Sequence, residues 1–253
     1  MKPNRFCQLA LVGVLLSTSG LYMTACANNS TKTATQTTSS SKQETISSRT
    51  QIQDIAASTY NGIALVQSKT NAKSHGTGVF ISPDTLLTNR HVVTGFEKAE
   101  AAVVRTVDQN GKQIDLPIKE LIAPEDESMD IGIVKLQKPI TSNKELSHLT
   151  IQKIASLDTT EKAKVSDFIR AVGYPGDKEH GTLWDSQGTI KEIDGNFLTY
   201  TAPIASGSSG SPLFNKNGDM IGLANASTDD LDNPTSFGLL FDKTIRTFIE
   251  QYQ

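Results

Sequence analysis

The feature that most restricts the fold of this chain is a succession of short apolar runs, separated by Gly, Pro, Asn and Asp, that starts near residue 62. Short runs rich in Val, Ile, Leu and Thr are typical of β-strands. Because no long segment with helical periodicity lies between them, a parallel sheet with crossover helices is disfavoured. The sequence predicts strands in twelve segments: 62–68, 77–82, 85–89, 101–107, 113–122, 130–137, 164–174, 183–193, 196–202, 211–215, 219–227 and 236–241.

The connections and the end of the chain complete this prediction. The segments 108–111 (DQNG) and 215–218 (NKNG) predict hairpin turns. One helix is predicted at 242–253, with Asp242 as its N-cap and a single apolar face. That face consists of Ile245, Phe248, Ile249 and Tyr252. We therefore expect an all-β fold of two antiparallel barrels with a C-terminal α-helix, dividing within the connection 138–164.

The first 25 residues are predicted to be an export signal and not part of the fold. Lys2 and Arg5 precede an apolar run that ends in small residues before Cys26. The ending MTAC resembles a bacterial lipobox, in which cleavage before the cysteine leaves a lipid on its thiol. We expect lipid attachment at Cys26 and a location on the bacterial cell surface. The alternative is plain secretion with an incidental cysteine, whereas a membrane span is disfavoured because the run is shorter than about 20 apolar residues.

The segment 26–51 contains almost no large apolar residues, so we expect a disordered tether followed by a folded domain at 52–253. The only other cysteine, Cys7, lies in the predicted signal, so no disulfide is expected in the mature chain. The net charge of −3 and the pI of about 5.8 argue against nucleic-acid binding. We expect a monomer.

Two residues at strand boundaries are candidates for acid–base chemistry. His91 follows the apolar segment 85–89, where a rigid strand could hold it at a cleft. Asp130 directly precedes the apolar part of the segment 130–137, where it could orient an imidazole and stabilise the imidazolium. Asp126 is the competing carboxylate, but its surroundings are polar. Either residue alone would be unremarkable in sequence.

A nucleophile is predicted in the segment ASGSSGSP at 205–212, which offers several serines. Only Ser209 is framed by the pattern Gly-x-Ser-Gly, in which small residues let the backbone turn tightly and a substrate approach. The N–H groups of Gly207 and Ser209 could then stabilise an oxyanion. The remaining candidates lack this framing: Ser206, Ser208 and Ser211. Without a base and an acid elsewhere in the chain, the pattern is a weak signal.

The order His91, Asp130, Ser209 is that of chymotrypsin-type enzymes. The segments DTLLTNRHVV, VGYPGDK, LWDSQG and GSSGSPLFNKNGDMIG resemble the glutamyl endopeptidase (staphylococcal V8-type) branch of bacterial chymotrypsin-like serine proteases. The resemblance implies two six-stranded β-barrels with the three residues in the cleft between them, and no metal or organic cofactor. It also implies hydrolysis of a protein or peptide through an acyl-enzyme. In this scheme His91 is the general base and then acid, Asp130 orients it, and Ser209 is the nucleophile.

Two positions depart from the acid-specific members of that branch. Those members carry Thr five residues before the nucleophile and His fifteen after it, where this chain has Ile204 and Ala224. Neither side chain can donate a hydrogen bond to a substrate carboxylate, and Pro203 stands where trypsin-like enzymes have Asp. We therefore expect cleavage after a neutral residue. The rival functions are a catalytically idle protease fold that acts as a surface binding protein and, less compatible with the strand pattern, an esterase.

Overall fold

The computed structural model describes residues 47–228, 230 and 233–253. The expected signal peptide 1–25, the expected lipid-attachment residue Cys26 and most of the expected tether lie outside the described residues. No helix among the residues described is both long enough and apolar enough to cross a bilayer.

The first strand, β1 (Ser48–Ile52), was not expected from the sequence. It pairs antiparallel with residues 183–187 of a later strand, in the register Arg49 opposite Ser186. Residues 48–51, which the sequence assigned to the tether, thus form part of a strand. Apart from Ile52 this strand is polar, so no apolar run marked it. Its stability comes from backbone pairing and from an ion pair described below.

Six antiparallel strands close into the first barrel in the spatial order β2-β3-β4-β7-β6-β5. Most of these pairs join strands that are neighbours in sequence. The two exceptions are β4 with β7 and β2 with β5, and the second of these closes the barrel. The strands are β2 (Ile63–Ser68), β3 (His75–Ser82), β4 (Thr85–Thr88), β5 (Ala102–Val107), β6 (Gln113–Ile122) and β7 (Gly132–Leu136).

The second barrel consists of six more antiparallel strands. They are β8 (Phe168–Gly173), β9 (Leu183–Asp194), β10 (Phe197–Tyr200), β11 (Pro212–Phe214), β12 (Met220–Ser227) and β13 (Ser236–Leu240). The spatial order is β9-β10-β13-β12-β11-β8, and the pairing of β8 with β9 closes it. Each of the twelve predicted strands has its counterpart, and the prediction of two six-stranded antiparallel barrels is confirmed.

Three α-helices connect or flank the barrels: α1 (Arg90–Thr94), α2 (Leu157–Glu161) and α3 (Lys243–Glu250). The C-terminal helix is confirmed with its cap, since the Asp242 carboxylate accepts the N–H of Ile245 at 2.8 Å. Helices α1 and α2 were not predicted because five residues are too few to show helical periodicity. Helix α2 lies in the connection between β7 and β8, which contains the expected division at 138–164.

One hydrophobic cluster extends through both barrels and fixes where the cleft forms. It includes Leu65 and Val79 from the first barrel, Val172 and Phe214 from the second, and Ile245 from α3. A barrel-specific cluster completes the interior on each side. Because the barrels share a packed core, residues at their junction are held in fixed positions.

Candidate active site

His91 lies in the first turn of α1, immediately after the buried strand β4. Asn89 caps the helix in extended backbone, so the chain leaves the barrel and turns at once into the helix. The Asn89 side-chain amide donates to the carbonyl oxygen of Asp130 at 2.9 Å, which ties the end of β4 to the residue before β7. Val92 and Val93 bury the opposite side of α1 in the first barrel. The His91 ring is thereby held at the barrel surface, facing the cleft.

Asp130 and His91 form a two-point contact. The ring nitrogen Nδ1 of His91 lies 2.7 Å from Oδ2 of Asp130, and the backbone N–H of His91 donates to Oδ1 at 2.9 Å. The Asp130 side chain is 16% exposed and that of His91 48%. Burial acts to raise the pKa of the Asp130 carboxyl, but the hydrogen bonds from His91 outweigh it and hold that pKa below its ordinary value. An ionised Asp130 places the Nδ1 proton between them and leaves Nε2 of His91 available as a base.

The competing carboxylate, Asp126, is placed differently. It lies in an exposed loop and accepts hydrogen bonds from the backbone and hydroxyl of Ser128. The structure thus brings Asp130, and not Asp126, to His91.

The loop that carries Ser209 needs its glycines. Gly207 and Gly210 both have positive φ, +90° and +86°. A Cβ on Gly207 would lie 2.3 Å from Nε2 of His75, and one on Gly210 would lie 2.1 Å from the carbonyl oxygen of Thr77. Glycine at these two positions permits both the backbone conformation and the close approach of the first barrel.

Ser209 faces two adjoining cavities, and His91 lines both. The larger, about 300 Å³, lies between these two residues and the segments 204–206 and 225–227; we call it the Ile204 cavity. The smaller, about 160 Å³, is bounded by residues 74–75, 206–207 and part of α1; we call it the His75 cavity. The Ser209 hydroxyl donates to the carbonyl oxygen of Asn225 at 3.1 Å, on the wall of the Ile204 cavity.

Two backbone donors beside Ser209 are free. In the described part of the chain, neither the N–H of Gly207 nor that of Ser209 has a hydrogen-bond acceptor. The N–H groups between and after them are used: Ser208 donates to Ala205, Gly210 to Ala224 and Ser211 to Ser208. Free N–H pairs of this kind can stabilise an oxygen that becomes negatively charged.

The two residues expected in a specificity pocket are separated. Ile204 lines the Ile204 cavity, and its carbonyl oxygen accepts the Ser227 hydroxyl at 3.0 Å. Ala224 is fully buried in the core of the second barrel and does not line this cavity. The wall is instead formed by Asn225, Ala226 and Ser227, the last residues of β12. The residues of β12 that line this cavity thus begin at Asn225, one position after Ala224.

Sequence reasoning missed a set of residues behind the Ser209 loop. The Thr77 hydroxyl donates to the carbonyl oxygen of Gly207 at 2.9 Å and accepts the N–H of Tyr174 at 3.1 Å. The ring nitrogens of His75 lie 3.1 Å and 3.2 Å from the carbonyl oxygens of Ala72 and Tyr174. These contacts join β3 of the first barrel to the end of β8 in the second. No local pattern could indicate them, because the partners are far apart in sequence.

The remaining histidines lie elsewhere. His180 contacts the side chain of Gln67, and the buried ring nitrogens of His148 have no hydrogen-bond partner among the described residues. Within the residues that are described, no group of three or more His, Cys, Asp or Glu side chains is arranged to hold a metal ion.

Two closed six-stranded antiparallel barrels with a C-terminal helix define a chymotrypsin-like fold. A solved structure titled "Structure of Glu endopeptidase in complex with MPD" shares it, with a TM-score of 0.59, 22% sequence identity and coverage of 80% of this chain and 95% of that one. Residues 76–223, more than half of the chain, match the family described as "Trypsin-like peptidase domain", and the chain belongs to that family.

Curated relatives are similar over most of the described domain. The glutamyl endopeptidase of Staphylococcus aureus strain MRSA252 is 29% identical over 207 residues, which cover 80% of this chain and 56% of the relative. The glutamyl endopeptidase of strain MW2 is likewise 29% identical, and the match covers 62% of its length. The chain thus matches only about three fifths of the length of these relatives.

Proposed function

We propose that the chain is a serine endopeptidase in which Ser209 is the nucleophile, His91 the general base and then acid, and Asp130 the residue that orients His91. The observation that carries this proposal is the hydrogen-bonded pair of His91 and Asp130 beside Ser209, on cavities that both His91 and Ser209 line. Membership of the peptidase family supports it.

Acylation begins when a peptide carbonyl occupies the cleft beside Ser209. The hydroxyl turns from the carbonyl of Asn225 towards His91, and its proton passes to Nε2 as Oγ forms a bond to the carbonyl carbon. A hydrogen bond between Ser209 and His91 need not form before substrate binds, because catalytic hydrogen bonds are often long or poorly aligned in the free enzyme. Asp130 stabilises the imidazolium that results. The N–H groups of Gly207 and Ser209 donate to the oxyanion.

Collapse of this intermediate breaks the carbon–nitrogen bond, and the His91 imidazolium gives its proton to the departing amine. Water then adds to the acyl carbon while His91 accepts its proton. The second tetrahedral intermediate expels the Ser209 oxygen, which His91 reprotonates, and releases a carboxylic acid. The net reaction consumes one water molecule for each peptide bond and needs no cofactor.

The residue before the scissile bond is proposed to be neutral. Among the described residues, no lysine or arginine lines the Ile204 cavity, and the Ser227 hydroxyl already donates to the carbonyl oxygen of Ile204. A substrate carboxylate there would lose hydration without gaining a charged partner. Cleavage of paired peptides with Glu or Leu before the bond tests this, and a strong preference for Glu would overturn it in favour of the activity that the relatives' name denotes.

The location proposed for the protein is the outer face of a bacterial membrane, through lipid on Cys26. This rests on the export signal and lipobox of the sequence. Labelled fatty acid should appear on the wild-type protein and not on Cys26→Ser. Its absence from both would leave plain secretion.

The peptidase function is tested by incubating the purified chain with a mixed peptide library, with and without prior treatment with a serine-directed phosphonate. We expect cleavage products that disappear after treatment. The rival function, an idle fold used for surface binding, requires that neither cleavage nor phosphonate labelling occurs.

A further inference from the structure

The orientation of the peptide between Ser206 and Gly207 decides whether one of the two proposed oxyanion donors faces the cleft. The carbonyl oxygen of this peptide, on Ser206, accepts the N–H of Gly176 at 2.6 Å. In a trans peptide the C=O and N–H groups point in opposite directions. The hydrogen bond from Gly176 therefore directs the Gly207 N–H away from Gly176, and Gly207 lines the His75 cavity together with Ser209.

Gly176 is itself held by its neighbour in sequence. The Asp177 carboxylate accepts two hydrogen bonds from the Arg49 guanidinium, at 2.7 Å and 2.9 Å. The side chains are only 10% exposed for Arg49 and 30% for Asp177, and Arg49 also lies over the Trp184 ring at 5.9 Å. Because the ion pair has two hydrogen bonds and is shielded from solvent, it fixes both the position and the orientation of the Asp177 carboxylate, which an exposed single contact would not do.

We propose that Arg49, in strand β1, is a positioning residue for the oxyanion donor Gly207, acting through Asp177 and the Gly176 hydrogen bond to Ser206. The proposal rests on the peptidase function above. It gives β1 a role in catalysis: the strand that follows the expected tether also sets the geometry of the cleft.

The hydrogen bond from Arg49 lowers the pKa of Asp177 despite the opposing effect of burial, so the carboxylate stays ionised and paired. Other contacts support the same loop from the first barrel. The Thr77 hydroxyl holds the carbonyl of Gly207, and the His75 ring packs against that residue. Loss of Arg49 should thus misorient the Ser206–Gly207 peptide in part of the molecules and not unfold the loop.

The test compares Arg49→Met with Arg105→Met. Arg105 forms a similar two-point pair with Asp115, at 2.6 Å and 2.8 Å, but on strands β5 and β6 of the first barrel. Removing an oxyanion donor costs about 100- to 1000-fold in kcat, so partial misorientation should lower kcat about tenfold in Arg49→Met, with KM nearly unchanged. Arg105→Met should change kcat less than about twofold.

A second measurement does not depend on activity. The exchange of the Gly176 amide hydrogen, followed by NMR, reports its bond to Ser206 directly. We expect exchange to be about tenfold faster in Arg49→Met than in the wild type and unchanged in Arg105→Met. Thermal unfolding of each variant identifies any global loss of stability.

A double variant shows whether the effect passes through Asp177. If it does, Arg49→Met with Asp177→Asn should be no less active than Asp177→Asn alone, because the two changes remove one interaction.

Faster Gly176 exchange together with a lower kcat supports the proposal. Unchanged exchange overturns it whatever happens to kcat, and faster exchange with unchanged kcat shows that Arg49 is structural only. If the wild type cleaves no peptide, the proposed function itself fails, and this is known before any variant is compared.

Discussion

The two barrels contribute to the cleft in different ways. The first barrel presents a pair that is already assembled: His91 on a short helix, fixed to Asp130 by two hydrogen bonds. The second barrel presents Ser209 on a loop with two glycines at positive φ, and the Ser209 hydroxyl is bonded to a backbone carbonyl. The proposed base is therefore preformed within one barrel, whereas the proposed nucleophile and its proposed oxyanion donors depend on contacts between barrels.

This difference indicates where the cleft is sensitive to change. The geometry of the base depends on few atoms and should be lost only by substitution of those atoms. The geometry of the loop depends on His75 and Thr77 of β3, on Gly176 after β8 and on Arg49 of β1. Substitutions far from Ser209 should consequently affect the loop more than the base.

The largest expected effect comes from the second barrel. Ser209→Ala should lower kcat by about six orders of magnitude, because the bond to the acyl group cannot form. The matched control is Ser208→Ala, whose side chain is buried and accepts only a weak contact from Ala205. Hydrolysis of one fluorogenic peptide by both variants decides the matter, and an essential Ser208 with a dispensable Ser209 would refute the assignment.

On the first barrel, Asp130→Asn should lower kcat by about 10⁴-fold, because an amide donating to Nδ1 favours the wrong tautomer of His91. The control is Asp126→Asn in the exposed loop, which should remain close to wild type. Steady-state kinetics at neutral pH separate the two. Equal losses in both variants would argue against a specific role for Asp130.

A smaller loss is expected when the loop is distorted and the serine kept. In Gly207→Ala the new Cβ would lie 2.3 Å from His75, so the backbone must shift, and kcat should fall by about 100- to 1000-fold. Gly218→Ala is the control because its φ of +83° is also positive but nothing lies within 4 Å of its Cβ. Activity of Gly207→Ala as high as that of Gly218→Ala would show that the close approach of Gly207 to His75 is not needed for turnover.

The smallest effect concerns stability at acid pH. The pKa of Asp130 is lowered in the folded chain and is ordinary, about 3.9, in the unfolded chain. The unfolded state therefore binds a proton more readily. The contribution of ionised Asp130 to the free energy of unfolding is thus present above about pH 3.9 and is lost as pH falls through the folded pKa. Urea unfolding measures the free energy of unfolding at pH 6 and at pH 3. Between these two pH values it should fall less in Asp130→Asn than in Ser209→Ala, which keeps every carboxylate.

Sequence reasoning succeeded where local pattern carries the information. Apolar runs located twelve strands, and Asp242 with the apolar face at 245–252 located the terminal helix. His91 and Asp130 were selected by their chain order and by their positions at strand boundaries, and the structure brings these two residues into contact. The prediction that each barrel has six strands came from the family resemblance, because the periodicity of apolar residues does not indicate the order of strands within a sheet.

It failed where the structure depends on pairing between distant segments. Strand β1 is polar, so nothing distinguished it from the tether before it. Ala224 was assigned to the cleft by spacing from Ser209, but its side chain lies in the buried core of the second barrel. The hydrogen bond from Gly176 to Ser206 involves backbone atoms alone, so the pattern of side chains in the sequence does not indicate it.

The most direct test of the account is to label the purified chain with a fluorophosphonate and locate the adduct by peptide mass mapping. The account predicts one adduct per chain, on Ser209, and none when His91 is replaced by Ala, since the hydroxyl then lacks its base. An unlabelled wild-type chain, or an adduct on Ser206, Ser208 or Ser211, would contradict it.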